Sequence, residues 1–263
     1  MMPVLEHFRK EEHPFVEQAL EWKNTVETMY QRRLTGFLNP REQDILASIV
    51  GRDEVVYLSF WGGQEHCERK RALLYPFYEE INEGDFDIHL FQITYPQKFV
   101  SLSHPDVLGS LTGLGLKREK YGDIVKGDGI FHFTAAGDVS LYIEMNLEQV
   151  GKASVRTELL PLSEMLPMED HWEEVHTTVS SLRLDVMVAG MYQLSRSKAL
   201  PFIEKGRVKV NWRTEDKPSF TLEPGDYISV RGKGRRKFID SAGETKKQRI
   251  RITYGTKTDN TNT

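Results

Sequence analysis

The stretch from Ser181 to Val230 constrains the fold more than any other part of the chain, because two short helices and two strands must share one small core within it. Leu184, Val188 and Met191 fall on one helical face, with Gly190 and Tyr192 near the end of that helix. Ser195 is suited to cap a second helix, in which Ala199, Phe202 and Ile203 form an apolar face while Arg196, Lys198 and Lys205 project together from another. Gly206 tolerates the left-handed conformation that ends a helix, and Val208 and Val210 then alternate with Arg207 and Lys209, giving a strand with one apolar and one cationic face. Phe220 and Leu222 precede a turn at Pro224-Gly225-Asp226, after which Tyr227 to Val230 reads as a second strand. Its continuation, Arg231, Lys233, Arg235, Arg236 and Lys237, sets a basic run among glycines that let backbone approach a phosphate closely.

Charge divides the chain at the same place. Residues 181–254 hold 17 basic and 8 acidic side chains, a formal +9, whereas residues 1–180 hold 17 basic and 30 acidic, a formal −13. A basic module on an acidic body is suited to holding a polyanion on one face while the remaining surface repels it. A length of 263 residues predicts two or three folding units. No segment approaches the roughly 18–20 consecutive apolar residues of a membrane span, and Met1 to Lys10 is charged where a signal peptide is greasy, so no membrane partner and a cytoplasmic location are expected. Cys67 is the single cysteine; beside His66 it makes neither a disulfide nor a metal site, and it reads as a bystander. No cofactor and no metal are expected.

The remainder predicts an α+β protein. Phe8, Phe15, Ala19, Trp22 and Val26 recur at helical intervals, and Asn39-Pro40 can start a helix carrying Ile45, Leu46 and Ile49, so residues 1–75 form a mostly helical N-terminal unit with a strand at Val55 to Trp61. A strand at Phe86 to Tyr95, a helix at Pro105 to Leu114, a glycine-rich loop, a strand at Gly129 to Thr134, a helix at Val139 to Val150 and a strand at Ala153 to Leu160 compose a central α+β domain over residues 76–160. Residues 161–180, rich in proline and acids, read as a linker; residues 181–254 are the basic module, and 255–263 a disordered tail.

Arg183-Leu184-Asp185, Ser195-Arg196-Ser197-Lys198-Ala199, Gly206-Arg207-Val208-Lys209-Val210-Asn211 and Leu222-Glu223-Pro224-Gly225-Asp226-Tyr227-Ile228, in that order, resemble the S4 domain. The resemblance implies two helices on a small sheet, with Arg183, Arg196, Lys198, Lys205, Arg207 and Lys209 contacting structured RNA. Arg231, Lys233, Arg235, Arg236 and Lys237 extend the candidate surface. Trp212 departs from the family pattern, which has a small residue there; it is either a core anchor or a platform for a base. With the central Leu111-Thr112-Gly113-Leu114-Gly115-Leu116-Lys117-Arg118-Glu119-Lys120-Tyr121-Gly122-Asp123-Ile124, the chain resembles the YlmH family of bacterial proteins over nearly its full length. That resemblance implies a ribosome-associated, RNA-binding factor encoded near cell-division genes. Its implied partners are ribosomal RNA, the large ribosomal subunit and tRNA, and its implied setting is rescue or quality control of stalled translation. A monomer is expected. Residues 76–160 hold 7 basic and 13 acidic side chains, so RNA contact there must be local, at Lys117, Arg118, Lys120 and Lys126.

Three other readings compete. Arg183-Leu184-Asp185 has a superficial likeness to the catalytic triplet of pseudouridine synthases, but it opens the S4 helix and too little chain follows it for a catalytic domain. A methyltransferase reading of Gly113-Leu114-Gly115 lacks the third glycine and the preceding strand of a nucleotide-binding turn. A protein adaptor linked to cell division is the third alternative. A non-enzymatic role is expected.

Overall fold

The computed structural model of the protein describes residues 5–168, 172–245 and 248–256, which divide between two units, Met1–Glu169 and Asp170–Thr263. Both are mixed α+β. The first begins with α1 (His13–Met29), which buries Val16, Ala19, Trp22 and Val26 at helical spacing and stops where Tyr30 turns left-handed. β1 (Arg33–Leu38) follows, then α2 (Pro40–Val50). Asn39 caps α2 through a reciprocal pair: its side chain accepts from Glu42 N at 3.1 Å, and the Glu42 carboxylate accepts from Asn39 N at 2.7 Å. β2 (Val56–Trp61) and β3 (Lys70–Pro76) complete a three-stranded antiparallel sheet in the order β1-β3-β2.

The N-terminal region is therefore two helices on a sheet, where the sequence predicts helices and one strand. β3 gives no alternating signal because Arg71 to Pro76 is buried on both faces. Arg69, just before the strand, and Arg71 within it are held by backbone carbonyls, while the Arg69 Nε is buried without a hydrogen bond among the described residues. Arg69 donates to Phe37 O at 2.6 Å, and Arg71 donates to Thr35 O at 2.8 Å, Phe86 O at 2.9 Å and Asp87 O at 2.8 Å. Burial pulls both guanidinium pKa values down from the usual arginine range, against the field of nearby carboxylates.

The same unit continues through β4 (Ile88–Thr94), α3 (His104–Gly113), β5 (Tyr121–Lys126), β6 (Ile130–Ala136), α4 (Ser140–Asn146), β7 (Gln149–Val150), β8 (Ala153–Ser154) and β9 (Arg156–Leu160). Four of these strands make an antiparallel sheet in the order β5-β6-β4-β9, and β7 and β8 form a separate hairpin. Phe91, Ile93, Phe131 and Phe133 on one face pack with Val107, Leu111 and Ile143 from the helices. Ile88 and Ala136, at alternate positions, meet Phe37, Leu73 and Tyr75 of the N-terminal strands. Each such buried side chain contributes roughly 1.5–3 kcal/mol of transfer free energy. β5 occupies part of the expected glycine-rich loop, and the expected helix Val139 to Val150 ends at Asn146.

The second unit comprises β10 (Glu173–Val179), α5 (Leu184–Met191), α6 (Arg196–Glu204), β11 (Val208–Val210), β12 (Arg213–Thr214), β13 (Tyr227–Val230), β14 (Gly234–Glu244) and β15 (Ile250–Thr256). The strands form one antiparallel sheet in the order β10-β15-β14-β13-β11-β12. Leu184, Met187, Val188, Met191, Ala199 and Ile203 cover its inner face, meeting Val208, Val210, Ile228, Val230, Phe238, Ile252 and Tyr254. Part of the expected linker is thus a strand: β10 pairs along its whole length with β15. Gly255 and Thr256, placed in the expected tail, finish β15, while 257–263 lie outside the described residues. The sequence offers Glu173-Glu174 and His176 as linker-like polar residues; only pairing with a partner distant in the chain makes them a strand.

Candidate nucleic-acid interface

The first group of cations is organised by a carboxylate. At the start of α5, Leu184 N donates to Phe220 O at 2.7 Å and Asp185 N to Pro218 O at 3.1 Å, so the loop of residues 217–222 closes the helix N-terminus and covers Asp185, which is 1% exposed. Arg183 donates from Nε to Asp185 Oδ1 at 3.1 Å and from Nη2 to Oδ2 at 3.4 Å. Arg196, one residue past the Ser195 cap of α6, donates from both Nε, at 2.8 Å, and Nη2 to the same Oδ2. The side chains of Arg183 and Arg196 nevertheless remain 43% and 63% exposed. Burial pushes the Asp185 carboxyl up, but the hydrogen bonds from Arg183 and Arg196 outweigh it and hold the group below the usual carboxylate range. One buried anion therefore fixes two outward-facing cations, whose remaining N–H donors suit phosphate oxygens. Arg196, expected as a simple exposed contact, is also tied into the fold.

A second group lies at the end of α6. Gly206, at φ +62, ends the helix, and Arg207 N then donates to Phe202 O at 2.8 Å while Arg231 N donates to Arg207 O at 2.9 Å. Gly232 and Gly234, both at positive φ, turn β13 into β14 and carry Lys233, whose ammonium stands 5.8 Å from the Phe202 ring. Lys205, Arg207, Arg231 and Lys233 are all exposed, as is Lys198 in the first turn of α6.

The remaining candidates separate by strand parity. Directly paired residues of an antiparallel sheet share a face. Lys209 lies opposite Ser229, which lies opposite Arg235, and Tyr227 lies opposite Lys237, all on the face turned away from the helices. Arg236 pairs with the core residue Ile228 and points the other way. Its guanidinium stands 5.1 Å from the Tyr192 ring, and its Nε is buried without a hydrogen bond, so Arg236 belongs to the packing of the helix side. Tyr192 is itself fixed there, donating to Ile228 O at 2.8 Å and Gly234 O at 3.0 Å.

Asn211 and Trp212 form the turn between β11 and β12 with φ of +49 and +63. This conformation favours Asn-Gly, and a bulky side chain in it costs on the order of 1–2 kcal/mol. The turn is held by the Asn211 side chain, which accepts from Tyr227 N at 2.9 Å and donates to Asp226 Oδ1 at 2.7 Å. The Trp212 ring packs on Tyr227 at 5.2 Å, with the Arg235 guanidinium 4.9 Å from its centroid. Trp212 thus lies on the outer face of the sheet, away from the core between sheet and helices. Trp172, which sequence reasoning did not single out, joins the same group, 5.7 Å from Tyr227. Trp212, a bulky residue where the family pattern has a small one, is the signal in the sequence that points to this group.

The central patch fares differently. Arg118 donates to Tyr121 O at 2.5 Å and Gly122 O at 3.2 Å and stacks 4.6 Å from the Tyr121 ring. Lys120 forms an ion pair with Asp138. Asp123 accepts from Glu68 N at 2.7 Å and Arg69 N at 3.1 Å. A Cβ on Gly122 would stand 2.2 Å from Thr134 Oγ1 and 2.8 Å from the Phe37 ring. Much of this motif is therefore a clamp between strands. Lys117 is exposed at its edge, and Lys126 is half-buried on β5. Among the described residues no group of three or more His, Cys, Asp or Glu is placed to hold a metal ion, and no helix is long and apolar enough to cross a membrane.

Comparison with known proteins gives a consistent picture. The family model described as "Putative RNA-binding domain in YlmH" matches residues 82–164, and the S4 domain model matches residues 182–228. The chain is 43% identical over 255 residues to the ribosome-associated protein quality control protein P2 of Bacillus subtilis (strain 168), an alignment that covers 97% of this chain and 98% of the relative. Among solved structures it is similar to the cell division protein ylmH from Streptococcus pneumoniae, with a TM-score of 0.55 and 28% identity, covering 61% of this chain and 98% of that one.

Proposed function

Since the chain belongs to the YlmH family, we propose that it is a non-catalytic factor that binds structured RNA on the ribosome through its S4 unit. The Asp185-anchored pair of Arg183 and Arg196 carries this reading, because it offers two guanidinium groups already oriented outward. Lys198, Lys205, Arg207, Arg231 and Lys233 add exposed charge on neighbouring elements. Arginine forks match phosphate oxygens geometrically, and their fixation by a buried anion lowers the ordering cost of contact. The finer assignment is to large-subunit ribosomal RNA, tRNA or both, in rescue or quality control of stalled translation, by a monomer acting in the cytoplasm. The similarity to a ribosome-associated quality control protein over 97% of the chain supports that setting.

Crosslinking in cells followed by sequencing of the attached RNA tests the proposal. Ribosomal or transfer RNA should dominate, and the protein should lose its ribosome-sized sedimentation after nuclease treatment. A protein adaptor is the second reading, favoured by the exposed Leu141, Tyr142 and Met145 on α4. It predicts complexes that survive nuclease. Crosslinks confined to messenger or small RNA would overturn the ribosome reading.

A further inference from the structure

We propose that the outer face of the sheet in Asp170–Thr263 is a second RNA surface, one that takes unpaired nucleotides by stacking their bases on Trp212, Tyr227 and Trp172 and holding their phosphates with Lys209, Arg235 and Lys237. This deepens the reading of the unit as an RNA binder and rests on it, but it assigns a different face and a different form of RNA from the arginine pair at Asp185.

Register carries the first step. Lys209, Ser229 and Arg235 line up across three strands, as do Tyr227, Lys237 and Gly255, while Val208, Val210, Ile228, Val230 and Phe238 take the alternate, inner positions. A solvated sheet face needs polar groups but has no need of large rings. Here Trp212 and Tyr227 are 5.2 Å apart at 44°, Trp172 and Tyr227 are 5.7 Å apart at 54°, and Arg235 and Lys237 stand 4.9 and 5.1 Å from the Trp212 and Tyr227 centroids. Gly255 makes room for this layer, since a Cβ there would come within 2.7 Å of the Trp172 Cβ.

The second step is the strained turn. Glycine would satisfy φ +63 at position 212 without steric cost, and the Asn211 side-chain bonds would hold the turn either way. The indole instead packs on Tyr227 with the Arg235 guanidinium beside it, an arrangement of rings and cations of the kind on which bases stack. Arg251, opposite Ala242, adds a further cation to this face, against Glu174 and Asp240. Aromatic rings interleaved with cations match a chain of alternating bases and phosphates. They do not match a duplex, whose bases are already stacked and enclosed.

The test uses the full chain, with fluorescence anisotropy on two probes: a short unstructured single-stranded RNA and a blunt RNA hairpin taken from a ribosomal helix. Trp212→Gly should weaken single-strand binding about five- to hundredfold and hairpin binding far less, with a melting temperature unchanged or raised by relief of the turn. Trp212→Phe should recover much of the loss. Arg235→Ala with Lys237→Ala supplies an independent variant pair: it should weaken single-strand binding and flatten its salt dependence. Hairpin binding that depends on Arg196, together with single-strand affinity indifferent to all of these variants, would overturn the outer-face site and leave the proposed function standing. Failure of the wild-type protein to bind either RNA would overturn both. Equal losses on the two probes, or a Trp212→Gly variant that melts early, would show the ring to be structural and overturn the stacking role.

Discussion

Arg118 in the first unit and Arg196 in the second both stand in basic segments that suggest phosphate contact, yet the fold commits them differently. Arg118 spends its guanidinium on the carbonyls of Tyr121 and Gly122 and on the Tyr121 ring. Both residues are exposed, but Arg196 is gripped from beneath by a buried carboxylate, with 63% of its side chain in solvent. Carbonyl acceptors within a strand tie an arginine into local packing, whereas a buried anion can act as a pedestal. The number of cations in a segment says little about binding until their anchors are known.

The largest expected effect follows from the division between the units. Removing residues 170–263 should abolish measurable RNA binding, because the Asp185 cluster and the exposed cations of α6 go with it. The remaining Met1–Glu169 should keep a cooperative melt, since its cores are internal. Cutting at residue 181 is the wrong experiment, because it strands Glu173–Val179 without its partner Ile250–Thr256. Full RNA affinity in Met1–Glu169 would reverse the comparison and make the central clamp the main site.

Asp185→Asn comes next. It removes the anion from beneath two guanidinium groups, and a cost of about 2–3 kcal/mol is expected in urea denaturation, reduced from a fully buried pair because both arginines are partly exposed. RNA affinity should fall with it as Arg183 and Arg196 lose their orientation. The pH dependence provides an internal check. The folded pKa of Asp185 lies below its unfolded value, so its stabilisation is present above the ordinary carboxylate range and disappears as pH falls through the folded pKa. The wild-type and Asp185→Asn stability curves should therefore differ at neutral pH, begin to approach one another as pH drops below the ordinary carboxylate range, and meet only below the folded pKa of Asp185. Parallel curves across that range would show that the carboxylate charge is not what holds the pair.

Arg118→Ala should destabilise the first unit by about 1–3 kcal/mol, through two unsatisfied carbonyls and a lost ring contact, while RNA affinity is unchanged. Thermal melting and anisotropy on the same preparation separate the two outcomes. A stable variant with weakened RNA binding would return Arg118 to the binding surface.

What could be read from the chain follows from how local each determinant is. The Ser195 cap, the Gly206 helix end and the Val208/Val210 alternation are set by neighbours within a few residues, and the folded chain uses them as the pattern predicts. Lys70–Pro76 escaped because burial on both faces erases alternation, and because Arg69 before it and Arg71 within it look solvated until their carbonyl partners are in place. Arg235 and Arg236 are adjacent and identical in type, yet strand register sends one to the outer face and the other toward Tyr192. The meeting of Arg183 and Arg196 at Asp185 likewise depends on how two helices pack. Residue type and spacing identified the S4 segment, but the third dimension sorted its cations.

The smallest effect is also the most discriminating. Arg196→Ala leaves Arg183 on Asp185, so its stability cost should be only about 1 kcal/mol, as for a largely exposed ion pair. If Arg196 neutralises one phosphate of an RNA helix, its removal should weaken binding by a similar factor across sequences. It should also lower the slope of log affinity against log salt by about 0.9. Arg196→Lys keeps the charge but cannot reproduce the fork on Asp185 and a phosphate together. The lysine variant should therefore retain most of the salt slope while losing part of the affinity, a separation that a purely electrostatic contact would not produce. Binding isotherms at several salt concentrations for wild type and both variants measure it. An alanine variant with unchanged slope would remove Arg196 from the interface, and a lysine variant equal to wild type would show that its charge alone matters, so that the Asp185 pedestal serves folding rather than recognition.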